Sequence, residues 1–384
     1  NKEDPVHHDK FIEAAKKADV ILTTDANIIP SYVEKAGHER VYALPFAAQP
    51  ALHYPKPYEE RKSKACFAGS WYGARHEQRG KDMGWLLPAA AKLGLDIYDR
   101  NYGNPNFAFP APLDQSVVGS LDYEELCREY GAYKVFMNVN SVTDSPTMFS
   151  RRVFEILASG TPIVTTYSKG IDHYFGDIVT FVSNEAEAEH AVRELLEDSD
   201  LWRRKSLAGI RAVFENHTYA HRLQEIGDRA GLKFKISQTQ SLTALCYIEN
   251  DEQKQRAQTF FEAQKFSGQI KPVFFTDRNQ TLAELLTNEP ESKKLVLADM
   301  TQLRSDNIDI YALMDLGHAL IYAPNSFAWG FATRSGDEFV DGAKLDSALK
   351  LIALPQNQNW QKLTIEDIQA DNKAGFAVRK GDWA

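Results

Sequence analysis

The stretch SPTMFSRRVFEILASGTPIVTT, residues 145–166, joins an amphipathic helix to a short buried strand. Two arginines and a glutamate open the helix, the motif SGTP at 159–162 ends it, and a β-branched run follows. Guanidinium groups and helix-end amides bind diphosphate, and a carboxylate binds ribose, so this arrangement suits a nucleotide site. The alternative is a solvated helix start above an ordinary core strand.

Composition narrows the class of protein. At 384 residues the chain is long enough for two or three domains, each with its own core. Apolar residues make up 43% and charged residues 25%, which is typical of a soluble globular protein. The net charge of −9 argues against a general nucleic-acid-binding protein, but it allows a basic pocket around one diphosphate.

Targeting and metal signals are weak. No apolar run approaches the roughly 20 residues that span a bilayer, and residues 1–10 carry no signal-peptide core. Cys66, Cys127 and Cys246 lie far apart in apolar contexts, without metal-ligand spacing. We therefore expect buried, reduced thiols, no metal site, and a cytoplasmic protein, with peripheral attachment at the inner membrane face as a variant of that location.

The middle of the chain, residues 51–234, alternates strands and helices. Strands are predicted at 64–68, 95–98, 134–139, 162–166 and 178–182. Helices are predicted at 85–93, 123–130, 151–158, 186–196, 201–215 and 220–230. This alternation predicts an α/β fold with a doubly wound parallel sheet of Rossmann type. Ligands of such sheets bind at the carboxyl ends of the strands, where the loops after residues 68, 139 and 166 lie.

Two further segments flank this predicted sheet. Residues 1–50 contain two strands, 19–24 and 41–44, around a helix at 28–36. Two strands make a poor sheet, so either earlier strands are missing or these two join the following sheet. Residues 235–384 are predicted to form a smaller α/β domain. Its predicted strands are 241–250, 272–276, 294–298 and 318–322, and its predicted helices are 252–264, 282–286 and 308–316.

Four strings resemble the CgeB-type glycosyltransferases, within the GT-B group-1 glycosyltransferases. They are RVYALPFAAQP (40–50), CFAGSWYGARHEQR (66–79), NVNSVTDSPTMFSRRVFEILASGTPIVTTYSKGI (138–171) and NHTYAHRL (216–223). The resemblance covers residues 1–232 and implies two Rossmann-like domains facing across a cleft. It implies that residues 51–234 bind a nucleotide-sugar donor and that residues 1–50 end the acceptor-side domain. The chain would then be the C-terminal part of a longer enzyme.

The resemblance also implies roles for single residues. Glu155 matches the second glutamate of the family's paired motif, which binds the donor ribose. The first glutamate should stand eight positions earlier, where this chain has Thr147. Asp144, in the same loop, is an alternative carboxylate. Gly69 and Ser70 match the loop whose backbone approaches the diphosphate.

Cations are expected at the diphosphate. Arg75 and Arg151 are the candidates that stabilise the charge growing on the leaving group, and Arg152 is a further phosphate ligand. Adjacent helical residues point about 100° apart, so we expect only one of Arg151 and Arg152 in the site. We favour Arg151, which lies one turn from Glu155. Further candidate contacts are Tyr72, Asn140 and Lys169, although packing for Tyr72 and a capped turn for Asn140 are comparable alternatives.

The predicted activity is transfer of a sugar from a nucleoside diphosphate to a glycan or polymer of the cell envelope or spore surface. The resemblance implies a retaining, metal-independent reaction without a cofactor. Residues 235–384 faintly resemble a GT-A nucleotide-sugar domain, with Asp299 as the single counterpart of its metal-binding carboxylates, so we expect a degenerate accessory domain. Two alternatives stay open: a non-catalytic glycan-binding or scaffold protein, and a nucleotide-sugar epimerase, for which no acid/base pair is evident.

Overall fold

The computed structural model describes residues 5–55, 61–71, 77–233, 242–266, 268–286, 295–300, 310–322, 329–332, 339–343, 351–354 and 375–379. The chain divides into two units. The first comprises residues 1–55 and 60–236, and the second comprises residues 56–59 and 237–384. The first 50 residues therefore group with the middle of the chain. Their assignment to a separate acceptor-side domain stays a prediction.

The first segment forms a small layer of its own. Its elements are α1 (Pro5–Ala15), β1 (Ile21–Thr23), α2 (Ile29–Ala36) and β2 (Val41–Ala43). The two strands pair in parallel as a separate two-stranded sheet, so they do not join the sheet that follows. Ala15, Ile21 and Val41 form its buried core.

The middle of the chain forms a six-stranded sheet. The strands are β3 (Lys62–Gly69), β4 (Leu95–Asp99), β5 (Val117–Gly119), β6 (Tyr133–Asn138), β7 (Ile163–Thr165) and β8 (Thr180–Phe181). The helices are α3 (Glu77–Ala91), α4 (Tyr123–Glu129), α5 (Arg152–Ala158), α6 (Lys169–Phe175), α7 (Glu185–Glu197), α8 (Ser199–Asn216) and α9 (Tyr219–Ala230).

All neighbouring strands in this sheet are parallel, and their order is β5-β4-β3-β6-β7-β8. The predicted α/β fold with a parallel sheet is confirmed. From β3 the chain adds β4 and β5 on one side of the sheet, and then β6, β7 and β8 on the other side. The topological switch point therefore lies between β3 and β6. In doubly wound sheets the ligand crevice lies at the carboxyl ends of the strands at such a switch point.

Helix packing sets the position of α5, which carries Glu155. Buried apolar side chains of the strands, including Phe67, Ile97 and Val164, pack with α3 and α7. On α8, Gly209 allows close approach to α5, because a Cβ there would lie 2.9 Å from Leu157 Cδ2. A side chain larger than hydrogen at position 209 would therefore force Leu157, or α5 with it, to shift.

The second unit is a seven-stranded mixed sheet. Its strands are β9 (Leu242–Tyr247), β10 (Ile270–Phe275), β11 (Leu295–Asp299), β12 (Trp329–Ala332), β13 (Phe339–Ala343), β14 (Leu351–Leu354) and β15 (Gly375–Arg379), in the order β10-β9-β11-β14-β12-β15-β13. Its described helices are α10 (Asp251–Ala263), α11 (Leu282–Leu285) and α12 (Ala312–Tyr322). The predicted strand at 318–322 is wrong, because these residues end α12. Within the described parts of both units, no helix has the length and apolarity to cross a bilayer.

Candidate functional site

The carboxyl end of β3 presents a buried hydroxyl. Gly69 ends this strand, and Ser70 follows it at 1% exposure. Among the described residues, Ser70 Oγ has no hydrogen-bond partner. Gly69 lies close to Arg152, since a Cβ at this position would be 3.4 Å from Arg152 Nη1. Because buried polar groups are normally paired, the Ser70 hydroxyl is suited to a ligand at the sheet edge.

Glu155 lies in the first turn of α5 with only 2% of its surface exposed. Its Oε1 accepts hydrogen bonds from Arg151 Nε at 2.7 Å and from the Tyr123 hydroxyl at 2.8 Å. Its Oε2 accepts one from the Tyr130 hydroxyl at 3.0 Å. Behind them, His53 Nε2 lies 3.1 Å from the Tyr123 hydroxyl. The carboxylate is thus held by residues from three separate parts of the chain.

These contacts fix the protonation of the donors. Burial and the nearby Glu155 carboxylate raise the pKa of Tyr123 and Tyr130, so both hydroxyls keep their protons. Burial alone would lower the pKa of Arg151, but Glu155 and neighbouring tyrosines leave it raised. A carboxylate offers about four acceptor positions, of which the described donors use three. Acceptor capacity for one ligand hydroxyl therefore remains.

Access to Glu155 is controlled by two half-exposed side chains. The Tyr123 side chain is 44% exposed, and the Arg151 side chain is 45% exposed. The Arg151 guanidinium lies over the Tyr123 ring, with Cζ 5.0 Å from the ring centroid. Because Glu155 is 2% exposed, a ligand reaches its carboxylate only if neighbouring side chains move, and Tyr123 and Arg151 are half-exposed neighbours in direct contact with it. Sequence reasoning missed His53, Tyr123 and Tyr130, which lie outside the motifs that signal the site.

The two adjacent arginines diverge as expected from their spacing on the helix. Arg151 pairs with Glu155, whereas Arg152 Nη1 donates a hydrogen bond to the Ala68 carbonyl near the end of β3. Burial lowers the pKa of Arg152. The structure therefore places Arg152, and not the favoured Arg151, beside the Gly69–Ser70 loop. A phosphate role for either arginine stays a prediction, and Arg75 and Tyr72 lie outside the described residues.

Thr147 faces the first segment of the chain. Its hydroxyl donates to the Thr24 carbonyl at 2.8 Å and accepts from the Ala26 amide at 2.9 Å. Two residues earlier, the Ser145 hydroxyl donates to Asp25 Oδ1 at 2.6 Å. We call these three hydrogen bonds the clasp. The clasp uses the proton and one of the two acceptor lone pairs of the Thr147 hydroxyl, so within the clasp Thr147 can only accept one further hydrogen bond.

Asn140 and Lys169 lie at the ends of neighbouring strands. Asn140 is buried, and its Nδ2 donates to the Thr166 carbonyl at 2.7 Å, which ties the end of β6 to the end of β7. Lys169 begins α6, is exposed, and donates its backbone amide to the Thr143 carbonyl at 2.8 Å. Between them, the buried Ser168 hydroxyl has no partner among the described residues. Ligand contacts by Asn140 and Lys169 stay predictions.

The cysteines and acidic residues form no metal cluster within the described part of the chain. Cys66, Cys127 and Cys246 are buried free thiols, as expected from their apolar contexts. Burial raises the pKa of Cys66 and Cys246, so these thiols stay protonated.

A family comparison assigns a class to part of this unit. Residues 79–228 match the family model described as glycosyl transferase-like, a range shorter than half of the chain. This range includes Glu155, both arginines and the loops after β6 and β7. This part of the first unit is therefore similar to the glycosyl transferase-like family. The narrower CgeB-like subtype stays a prediction, and no curated protein matches the chain.

Solved structures with weak similarity include three named proteins. TarM shares 12% identity at a TM-score of 0.43, over 58% of this chain and 45% of TarM. HepE of Anabaena, in complex with UDP-glucose, shares 12% at 0.42, over 56% of this chain and 64% of HepE. WaaG, a glycosyltransferase involved in lipopolysaccharide biosynthesis, shares 14% identity at a TM-score of 0.41, over 55% of this chain and 62% of WaaG. The match thus spans less than two thirds of each of these structures.

Proposed function

We propose that the first unit binds a nucleoside diphosphate sugar and transfers its sugar to a glycan or polymer acceptor. The supporting observation is that the glycosyl transferase-like range contains Glu155 and most of the ligand edge of the parallel sheet. The cytoplasmic location, the cell-envelope or spore-surface acceptor, and a retaining, metal-independent reaction belong to the same proposal.

In this proposal the diphosphate lies at the carboxyl end of β3. The partnerless Ser70 hydroxyl and the neighbouring Arg152 guanidinium bind its oxygens, with Arg75 as a further cation. Fixed cations stabilise the charge that grows on the leaving diphosphate as the sugar–phosphate bond breaks. No protein nucleophile is assigned, because direct transfer between donor and acceptor does not require one.

The ribose is assigned to Glu155. A ribose hydroxyl would donate a hydrogen bond to the remaining acceptor position of the Glu155 carboxylate once Tyr123 or Arg151 has moved aside. A hydrogen bond to a charged group strengthens binding by roughly 1–3 kcal/mol. We therefore expect Glu155→Gln to weaken nucleotide affinity by about that amount.

Calorimetric titration of the full chain with UDP, GDP and ADP tests this assignment. Glu197→Gln, at an exposed position on α7, is the matched control and should bind like the parent protein. Circular dichroism verifies that both variants are folded. Absence of binding to all three nucleotides by the parent protein would refute the proposed function. Equal affinity of a folded Glu155→Gln variant would remove Glu155 from the site.

A non-catalytic glycan-binding protein is the second candidate. The engaged Glu155 carboxylate and the use of Thr147 in the clasp favour it. The two candidates differ in one measurement, namely hydrolysis of a nucleotide sugar in the absence of acceptor. A transferase releases nucleotide slowly under these conditions, whereas a binding protein releases none.

A further inference from the structure

One of the two carboxylate oxygens of Asp25 is held by hydrogen bonds. It follows β1, and its Oδ1 accepts hydrogen bonds from the Asn27 amide at 3.0 Å and from the Ser145 hydroxyl at 2.6 Å. The Met148 amide donates to the Ser145 hydroxyl at 3.0 Å, which orients its proton toward Asp25. Among the described residues, Asp25 Oδ2 accepts no hydrogen bond. The half-buried side chain thus presents one oriented, unused carboxylate oxygen.

The clasp brings this oxygen to the ligand edge. Ser145 packs against α6, since a Cβ on Gly170 would lie 3.1 Å from the Ser145 carbonyl. The buried Ser168 hydroxyl, which lacks a described partner, immediately precedes this helix. Asp25 therefore lies one residue contact away from the start of α6, although it is 120 positions from Ser145 in sequence.

The chemistry of sugar hydroxyls needs such an acceptor. Hydroxyl groups of a sugar donate hydrogen bonds, and an ionised carboxylate is the strongest side-chain acceptor for them. Within the clasp, the Thr147 hydroxyl keeps one acceptor lone pair, but it is a neutral acceptor and therefore weaker than a carboxylate. Asp144 lies on the same loop but is exposed.

We propose that Asp25 binds hydroxyl groups of the donor's sugar and so determines which sugar the first unit accepts. The proposal rests on the proposed function, because it assumes a nucleotide sugar at the carboxyl edge of the sheet. In this proposal the first segment supplies the carboxylate that is absent from position 147 of the loop at 143–149, where the residue is a threonine.

Asp25→Asn separates this role from a structural one. Asparagine caps helices about as well as aspartate, so the cap to Asn27 and the hydrogen bond from Ser145 are retained. The substitution removes the charge and replaces Oδ2 by a donor group. Asp19→Asn, at an exposed position just before β1, changes the charge of the first segment by the same amount and is the matched control.

The experiment titrates the full-length parent and both variants with UDP, GDP and ADP and with the glucose and N-acetylglucosamine conjugates of whichever nucleotide binds. We expect Asp25→Asn to bind the free nucleotide within twofold of the parent. Its affinity for the sugar conjugate should fall about tenfold, as expected for loss of a charge-assisted hydrogen bond. Asp19→Asn should match the parent with both ligands.

Three outcomes overturn the proposal. Equal binding of the sugar conjugate by Asp25→Asn and the parent would exclude a sugar contact. A parallel loss of free nucleotide and conjugate would indicate a structural role for Asp25. Absence of nucleotide binding by the parent would refute the proposed function and this inference together.

Discussion

Glu155 is a charge held inside the first unit by two hydroxyls and one guanidinium. A buried carboxylate is costly unless its oxygens are paired, so each of these donors offsets part of that cost. Tyr130 is the most buried of the three, and its ring also packs edge-on against Phe136. Its hydroxyl is therefore the donor whose loss solvent is least able to replace.

Tyr130→Phe should lower the free energy of unfolding by about 1–2 kcal/mol, because one Glu155 oxygen loses its donor while the ring packing is kept. Urea denaturation followed by circular dichroism measures this change. Tyr102→Phe, at a residue that is 62% exposed, is the control and should stay within about 0.5 kcal/mol of the parent. Equal stability of the two variants would show that the Tyr130 hydroxyl does not stabilise Glu155.

Among elements, the junction of α8 and α9 contains a buried histidine. His217 lies between the rings of Phe154 and Tyr174, and its Nδ1 is 3.0 Å from Arg222 Nη2. Burial, with additional repulsion from Arg222, His221 and His173, lowers the pKa of His217 to about 3. The imidazole is therefore neutral in the folded protein at every pH near neutrality.

This junction gives the first unit a defined pH dependence. Between pH 6.5, the ordinary pKa, and about 3, the unfolded chain binds a proton that the folded His217 does not. The free energy of unfolding should therefore fall as the pH is lowered through this window. Urea denaturation at pH 7 and at about pH 4.5 should show a smaller fall for His217→Gln than for the parent.

The control for this pH effect is His190→Gln. His190 is exposed on α7, so its substitution should leave the pH dependence unchanged. A His217→Gln variant with the same dependence as His190→Gln would show that His217 titrates normally in the folded state.

The elements were predictable to the extent that their patterns were long and unambiguous. The helices at 186–196 and 201–215 were predicted within two residues of α7 and α8 because their apolar spacing is regular. β5 and α6 were not predicted, since β5 has only three residues and α6 contains Gly170, Asp172 and His173, which have low helix propensity. The apolar run at 318–322 fits a strand or a buried helix equally, and tertiary packing decided for α12.

The candidate site was predictable only where its residues share a motif. Glu155 and its two arginines stand together in sequence, so their types and spacing indicated a nucleotide site. His53 and Tyr123 reach the same region through the folded chain, and nothing in their local sequence indicates it. Likewise, the divergence of Arg151 and Arg152 followed from helix geometry, but which of them lies beside β3 depended on packing.

At the scale of the whole first unit, one arginine side chain connects the first segment to α9. Arg222, buried on α9, donates hydrogen bonds to the carbonyls of Pro45 and Phe46. Next to these, Ala48 forms a parallel bridge with Thr218. Residues 45–48 are thus held along the start of α9.

Arg222→Met should remove the hydrogen bonds between α9 and the first segment, because methionine keeps part of the apolar stem and cannot donate to the two carbonyls. We expect the free energy of unfolding to fall by about 2–4 kcal/mol, as for loss of several buried charge-assisted hydrogen bonds. Limited proteolysis should also cut residues 45–55 faster. Arg193→Met, which removes only exposed ion pairs, is the control. Unchanged cleavage in Arg222→Met would show that residues 45–55 are held by other contacts.

The clasp also contains one backbone amide proton whose exchange with solvent reports on opening of the clasp. The Ala26 amide proton is bonded to the Thr147 hydroxyl, 121 positions away in sequence, and not to a neighbour in its own helix or strand. Any separation of the first segment from the loop at 143–149 exposes that single proton to solvent. Its rate of hydrogen–deuterium exchange therefore reads out how often these two parts of the first unit come apart.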